Sequence, residues 1–131
     1  MVIETSALIA ILQNEPDAER FIRAIVRDSR RLVPVVSALE AEMVAYGRGG
    51  EDGVVLLELV LQKLKCETAP CSLDQLAAAQ RAFRRFRKGR HPAGLNMGDC
   101  FSYALARMSG EPLLFKSEDF SLTEIAPVQL P

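Results

Sequence analysis

Hydrophobic positions along the chain fall into short apolar runs that alternate with stretches of helical spacing. Val2-Ile3 opens a strand that stops at Glu4, and Thr5-Ser6 can cap a helix beginning near Ala7, Leu8 and Ile9. Asn14-Glu-Pro16-Asp17 breaks that helix and starts another, in which Ala18, Phe21, Ile22 and Ile25 recur at helical spacing. Leu32 to Val36 is a short apolar run containing Pro34, which predicts an edge strand or a strand end, because proline cannot donate to the ladder. Ser37 starts a helix that runs through Leu39, Met43 and Val44 to Gly47, and Gly49-Gly50 is a loop. Val54 to Leu64 is so rich in apolar residues that it predicts a helix buried on most of its circumference.

Glu67 to Pro70 predicts a short strand, and Ser72 caps a long helix from Leu73 to about Lys88. Lys88 to Gly98 holds glycines, a proline and an asparagine and is a loop. Asp99 to Met108 is helical, with Phe101, Ala104, Leu105 and Met108 on one face and Gly110 as the stop. Pro112 to Phe115 is a buried strand, Phe120 to Ile125 one helical turn, and Ala126 to Leu130 a last edge strand. This alternation predicts an α/β fold: a single domain over residues 1–131 with a short, mainly parallel sheet flanked by helices.

Four stretches place an acid where a buried strand ends or a helix begins. They are Met1-Val-Ile-Glu4-Thr-Ser6, Ser37-Ala-Leu-Glu40, Asn96-Met-Gly-Asp99 and Lys116-Ser-Glu-Asp119-Phe120. An isolated carboxylate near the interior is expensive, and several converging from distant parts of a chain point to a bound divalent cation. Oxygen-only ligands favour Mg²⁺ or Mn²⁺ and metal-assisted phosphodiester chemistry. Glu4 and the Lys116-to-Asp119 segment both sit just past a strand and so should share the carboxyl edge of the sheet, where ligands bind in such folds. Each acid also has a local reading. Ser37-Ala-Leu-Glu40 fits a capping box, Asp99 suits a helix N-terminus, Asp119 can start the turn at Phe120, and Glu4 can be a solvated strand end. A cap and a ligand are compatible, since a cap can hold the carboxylate in place.

The 131 residues are 49% hydrophobic and 25% charged, ordinary for one soluble domain, and the net charge of −1 favours neither nucleic acid nor membrane as a whole. Cys66, Cys71 and Cys100 form no disulfide framework and fit no common zinc spacing, even with His91, the only histidine. A reducing cytoplasm is the expected setting, with no signal peptide and no membrane span. One local exception to the charge balance is Arg81, Arg84, Arg85, Arg87, Lys88 and Arg90, at the end of one helix and the loop after it. Arg81, Arg84, Arg85 and Lys88 share a stripe by helical spacing, which serves either as a solvated face or as a footprint for phosphates beside the acids. Leu76, Phe83 and Phe86 on that helix are expected in the core.

Taken in order, these motifs resemble PIN-domain ribonucleases. The opening resembles their Asp-Thr-Ser-Ala-Leu start, and the spacing to Ser37-Ala-Leu-Glu40 and to Gly-Leu-Asn96-Met-Gly-Asp99-Cys-Phe-Ser-Tyr-Ala-Leu-Ala looks like a VapC-type toxin of a bacterial toxin–antitoxin pair. The tail Glu-Pro-Leu-Leu-Phe-Lys-Ser-Glu-Asp119-Phe is similar to one subgroup of these toxins. The chain departs from the pattern by carrying Glu4 where the family has aspartate, and Ser117 where the subgroup has glycine. The resemblance implies hydrolysis of single-stranded RNA, with Mg²⁺ or Mn²⁺ held by Glu4, Asp99 and Asp119. Glu40 would be a ligand or would orient an ion-bound water, and Thr5, Ser6 and Asn96 would supply supporting or substrate hydrogen bonds. Arg81, Arg84, Arg85, Lys88 and Arg90 would meet the RNA. A small antitoxin helix in an apolar groove, a toxin homodimer and a toxin–antitoxin hetero-oligomer are implied in the same way.

Overall fold

A computed structural model describes residues 1–131. Four very short strands form one sheet in the order β3-β2-β1-β4: β1 (Val2–Ile3), β2 (Leu32–Pro34), β3 (Glu67–Ala69) and β4 (Leu113–Leu114). Every registered pair is parallel, with Val2 opposite both Leu32 and Leu113, Ile3 opposite Leu114, and Pro34 opposite Ala69. Parallel strands need long crossovers, and the helices supply them. They are α1 (Thr5–Leu12), α2 (Ala18–Arg27), α3 (Val35–Lys63), α4 (Leu73–Phe86) and α5 (Met97–Ser109), followed by a 3₁₀ turn at Asp119–Leu122.

Because side chains alternate along a strand, the two residues of β1 feed opposite layers. Val2 joins Leu32, Leu113, Phe86, Ala104 and Phe120 under α4 and α5. Ile3 joins Val33, Leu114, Leu8, Phe21 and Ile25 under α1, α2 and the first part of α3. The sheet is thus buried on both faces along β1, β2 and β4, which is why those strands read as unbroken apolar runs, whereas the edge strand β3 exposes Glu67 and Thr68.

Several expectations shift. Pro34 stands at a strand end, one of its two expected places, but the strand is an inner one, and α3 starts straight after it at Val35. Ser37 is therefore already inside the helix, fully buried and 3.3 Å from the Ser102 hydroxyl, and forms no capping box with Glu40. The two-glycine loop contracts to one kink within α3, at Gly50 (φ 58°, ψ −146°), a backbone that favours glycine. Beyond it the helix is not buried all round: Val55, Leu56 and Leu59 face solvent, because no further layer covers that side. α4 stops at Phe86, α5 begins two residues earlier than expected, at Met97, and the final edge strand shrinks to a single bridge between Pro127 and Leu113.

Phe120 is fully buried and packs 5.1 Å from the Phe115 ring. Phe120→Ala is expected to cost about 3–5 kcal/mol of stability, the range for emptying a buried aromatic site, as read by chemical denaturation.

Candidate acidic site at the carboxyl edge of the sheet

β1 and β4 are parallel neighbours, so the chain leaves both at the same edge. Glu4 follows β1 directly and Lys116-Ser117-Glu118-Asp119 follows β4. Helices α3 and α5 bring Glu40 and Asp99 to the same place. Glu4, Thr5, Ser6, Glu40, Asn96, Asp99 and Asp119 line one open depression of about 370 Å³, together with Ile9, Glu15, Lys116 and Ser117. All four acids expected at the site, and the three polar residues expected beside them, thus share one cleft.

Each carboxylate is engaged locally. Glu4, not Thr5 or Ser6, caps α1: its Oε2 accepts from the Ser6 amide (2.8 Å) and from the Ser6 hydroxyl. Glu40 Oε1 accepts from the Thr5 hydroxyl at 3.1 Å. Asn96 and Asp99 form the reciprocal capping box that their spacing predicted, at 2.9 and 3.0 Å. So engaged, no three acidic, histidine or cysteine side chains are drawn together into a ready chelating group.

Glu4 and Asp99 are only 5% exposed. Burial pushes the Glu4 carboxyl up to about 7, against its bonds to Ser6, and the charges of Asp99 and Glu40 raise it further. Burial likewise pushes Asp99 up to about 6, with Asp119 and Glu40 adding repulsion and the Asn96 amide opposing. An all-oxygen cluster that resists its own charge fits a hard divalent cation, which would neutralise the groups that water reaches least.

Around this cleft the basic residues divide rather than forming one stripe. Arg81 and Arg85 border a second depression with Arg107, Tyr103 and Glu124. There Glu124 accepts from the Tyr103 hydroxyl and pairs with Arg85 (3.2 Å) and Arg107 (3.4 Å), which pins the segment after Asp119 to α4 and α5. Arg84 instead lies along an apolar groove with Leu76, Phe83, Met97 and Phe101, and Met97 adjoins Asn96 at the acidic cleft. Phe86 is core as expected, but Leu76 and Phe83 are exposed. His91 is built into the loop, its Nδ1 accepting from the Ala93 amide and its ring edge-on to Phe86.

A family model described as PIN domain matches residues 1–126. The chain belongs to the PIN-domain family. Among its relatives it is 53% identical to ribonuclease VapC30 of Mycobacterium tuberculosis over the full length of both chains. It is 52% identical to a ribonuclease VapC of Mycolicibacterium smegmatis, covering 98% of this chain and 99% of that one. This is therefore a PIN domain of the VapC type. Its fold matches the crystal structure of M. tuberculosis VapC20, a toxin described as cleaving the sarcin–ricin loop, with a TM-score of 0.78 at 15% identity, over 99% of this chain and 98% of that one. The α/β fold with a parallel sheet is the one expected.

Two features of this PIN domain escaped the reading of spacing. The first is the closeness of Gly98 to Glu40: a Cβ on Gly98 would lie 2.2 Å from Glu40 Oε1. The glycine lets α5 slide under the Glu40 carboxylate, and only the missing side chain between Asn96 and Asp99 hints at it. The second is the pair Glu15 and Lys116 at the rim, joined by an ion pair. Gly98→Ala is expected to keep the fold, with melting within a few degrees of the parent, because the atom displaced ends a flexible chain. A crystal structure of the variant should show Glu40 moved off Thr5.

A carboxyl whose folded pKa is raised retains full stability below its unfolded pKa and loses it as pH rises through the folded value. For Glu4 the loss runs from about pH 4.5 to about 7. With chelator present, Glu4→Gln should therefore melt near the parent at the acid end of that window. It should melt roughly 8–15 °C higher at its alkaline end, given a penalty on the order of 3 kcal/mol.

Proposed function

We propose that this chain is a divalent-metal-dependent endoribonuclease toxin that hydrolyses phosphodiester bonds in single-stranded RNA. The observation that carries the reading is the cleft in which Glu4, Glu40, Asp99 and Asp119 meet, two of them buried and resisting ionisation. Full-length relatives named VapC ribonucleases support it. Glu4, Asp99 and Asp119 would hold Mg²⁺ or Mn²⁺. When bound, the ion supplies an acidified water and neutralises charge on the scissile phosphate. Glu40, kept in place by Thr5 and by the lack of a side chain on Gly98, orients the attacking water. Asn96 fixes Asp99, and Ser6 fixes Glu4. Of the basic residues, Arg81, Arg84, Lys88 and Arg90 are exposed without side-chain partners; Arg84, Lys88 and Arg90 meet the RNA backbone, whereas Arg81 borders the depression where Glu124 engages Arg85.

The partners we propose are a cognate antitoxin, a second copy of the chain, and the hetero-oligomer they build. One solved structure of similar fold is titled a toxin–antitoxin complex from Klebsiella pneumoniae (TM-score 0.69, 15% identity, over 92% of this chain and 89% of that one). The uncovered apolar residues of α3 and the groove between α4 and α5 offer places for a partner helix. No helix is long and apolar enough to cross a membrane, and the cytoplasm is the compartment we propose.

A second reading follows from Glu4. Glutamate reaches roughly 1.5 Å further than aspartate, and here its carboxylate folds back onto Ser6 to cap α1. On that reading the chain is a weakened PIN module that binds RNA or antitoxin without efficient cleavage. Total RNA incubated with the purified chain and with Glu4→Asp, in Mg²⁺, Mn²⁺ or chelator, separates the two. Discrete fragments from the parent that chelator abolishes are the expected result, with a rate gain on the order of 10²-fold for the aspartate variant. Silence from both chains would overturn the nuclease reading. Replacing Arg84, Lys88 and Arg90 together by glutamine is expected to weaken RNA binding equally for all sequences. It should also lower the slope of log affinity against log salt by about 2, near 0.7 per phosphate contact on single strands.

A further inference from the structure

The acidic depression has one cation on its wall, Lys116, among five carboxylates: Glu4, Glu15, Glu40, Asp99 and Asp119. Its backbone is fixed. The Lys116 amide donates to Ser6 Oγ at 2.9 Å, and Ser6 in turn donates to Glu4, so the segment after β4 is tied to the residue after β1. Its ammonium reaches across the rim to Glu15. Glu15 stands there because α1 ends in a tight reversal. Asn14 takes a left-handed backbone (φ 51°), its amide bonds Ile11 O at 3.1 Å, and the Glu15 amide bonds Ala10 O at 2.9 Å. Asparagine tolerates that conformation better than most residues. The turn aims an acid at the one base of the cleft.

An anionic substrate entering a cleft of five acids meets repulsion, and the arginines of α4 do not line it. We propose that Lys116 is the side chain that contacts the substrate phosphodiester, and that Glu15 holds its ammonium at the rim until a phosphate takes its place. The inference rests on the nuclease reading above. Exchange is favourable on general grounds: the Lys116–Glu15 pair is partly exposed, such pairs are weak, and a phosphate oxygen offers the ammonium a charge-assisted bond of the same kind. The cation is a long, flexible ammonium, suited to swinging between two anions.

The test uses the full chain and three variants, Lys116→Met, Lys116→Arg and Glu15→Gln, each checked by melting. A labelled single-stranded RNA is titrated in chelator between about 50 and 200 mM salt, and cleavage is followed in Mn²⁺. Lys116→Met should lower the slope of log affinity against log salt by about 0.7, one phosphate contact. It should also reduce kcat/KM roughly 10- to 100-fold, as for a lost contact to developing charge, without changing the melting shift that Mn²⁺ produces. Lys116→Arg should restore most of both, and Glu15→Gln should tighten RNA binding. If Lys116→Met matches the parent in slope and in kcat/KM, the pair is only a rim fastening and the inference fails while the nuclease reading stands. If the parent cleaves nothing in Mn²⁺ yet Lys116→Met still loses the slope, the nuclease reading fails and Lys116 remains an RNA contact. A parent that neither binds nor cleaves RNA overturns both.

Discussion

Glu4 and Asp99 are buried within reach of each other's charge, and the remaining charges that act on both are further carboxylates. Folding sets them there because four features of the chain end at one place: two parallel strands, the start of α5 and the first turns of α3. The sheet cannot be formed in this register without bringing the residue after β1 beside the segment after β4. The apolar layers above and below it stabilise that arrangement and therefore hold the acids together against their repulsion. On the proposed function, this stored electrostatic cost is what a divalent cation relieves, and it is why stability and chemistry meet at the same side chains.

Local bonds govern how the cluster is poised. Glu4 is a cap, Asp99 is half of a capping box, and Glu40 rests on Thr5 and on the bare backbone of Gly98. Each of these holds one carboxylate by short-range geometry and leaves oxygens for something else. The extra methylene of Glu4 matters in this setting. Both bonds from Ser6 fall on one carboxylate oxygen, Oε2, so the longer side chain is held at the helix start while its other oxygen stays free. The Ser6 hydroxyl also receives the Lys116 amide, which makes it the joint between the two strand ends.

Much of this was legible in the residues. Val2-Ile3, Leu32-Val33 and Leu113-Leu114 announced buried strands by being apolar on consecutive positions, and Asn96 with Asp99 announced a cap by spacing alone. The four acids stood out because each adjoins such a run. What the pattern could not give was set by packing at a distance. Ser37 looked like a helix start, yet Pro34 and the pairing with Ser102 placed it inside α3. Val55, Leu56 and Leu59 looked buried because apolarity carries no record of which face a neighbour covers. Gly98 could not be read as a contact for Glu40, since the two are far apart in sequence. Lys116 and Glu15 were seen only as neighbours of other features, because an ion pair across a cleft has no periodicity.

The most direct measurement of the acidic cluster's role is the count of protons released when Mn²⁺ binds, by calorimetry near pH 6.5 in buffers of different ionisation enthalpy. Glu4 and Asp99 titrate at about 7 and about 6, so a cation that takes their carboxylates must displace about one proton there. Saturable binding with that release is expected, diminished in both Glu4→Gln and Asp99→Asn. Binding without proton release, or no binding in a chain that remains folded, would contradict it.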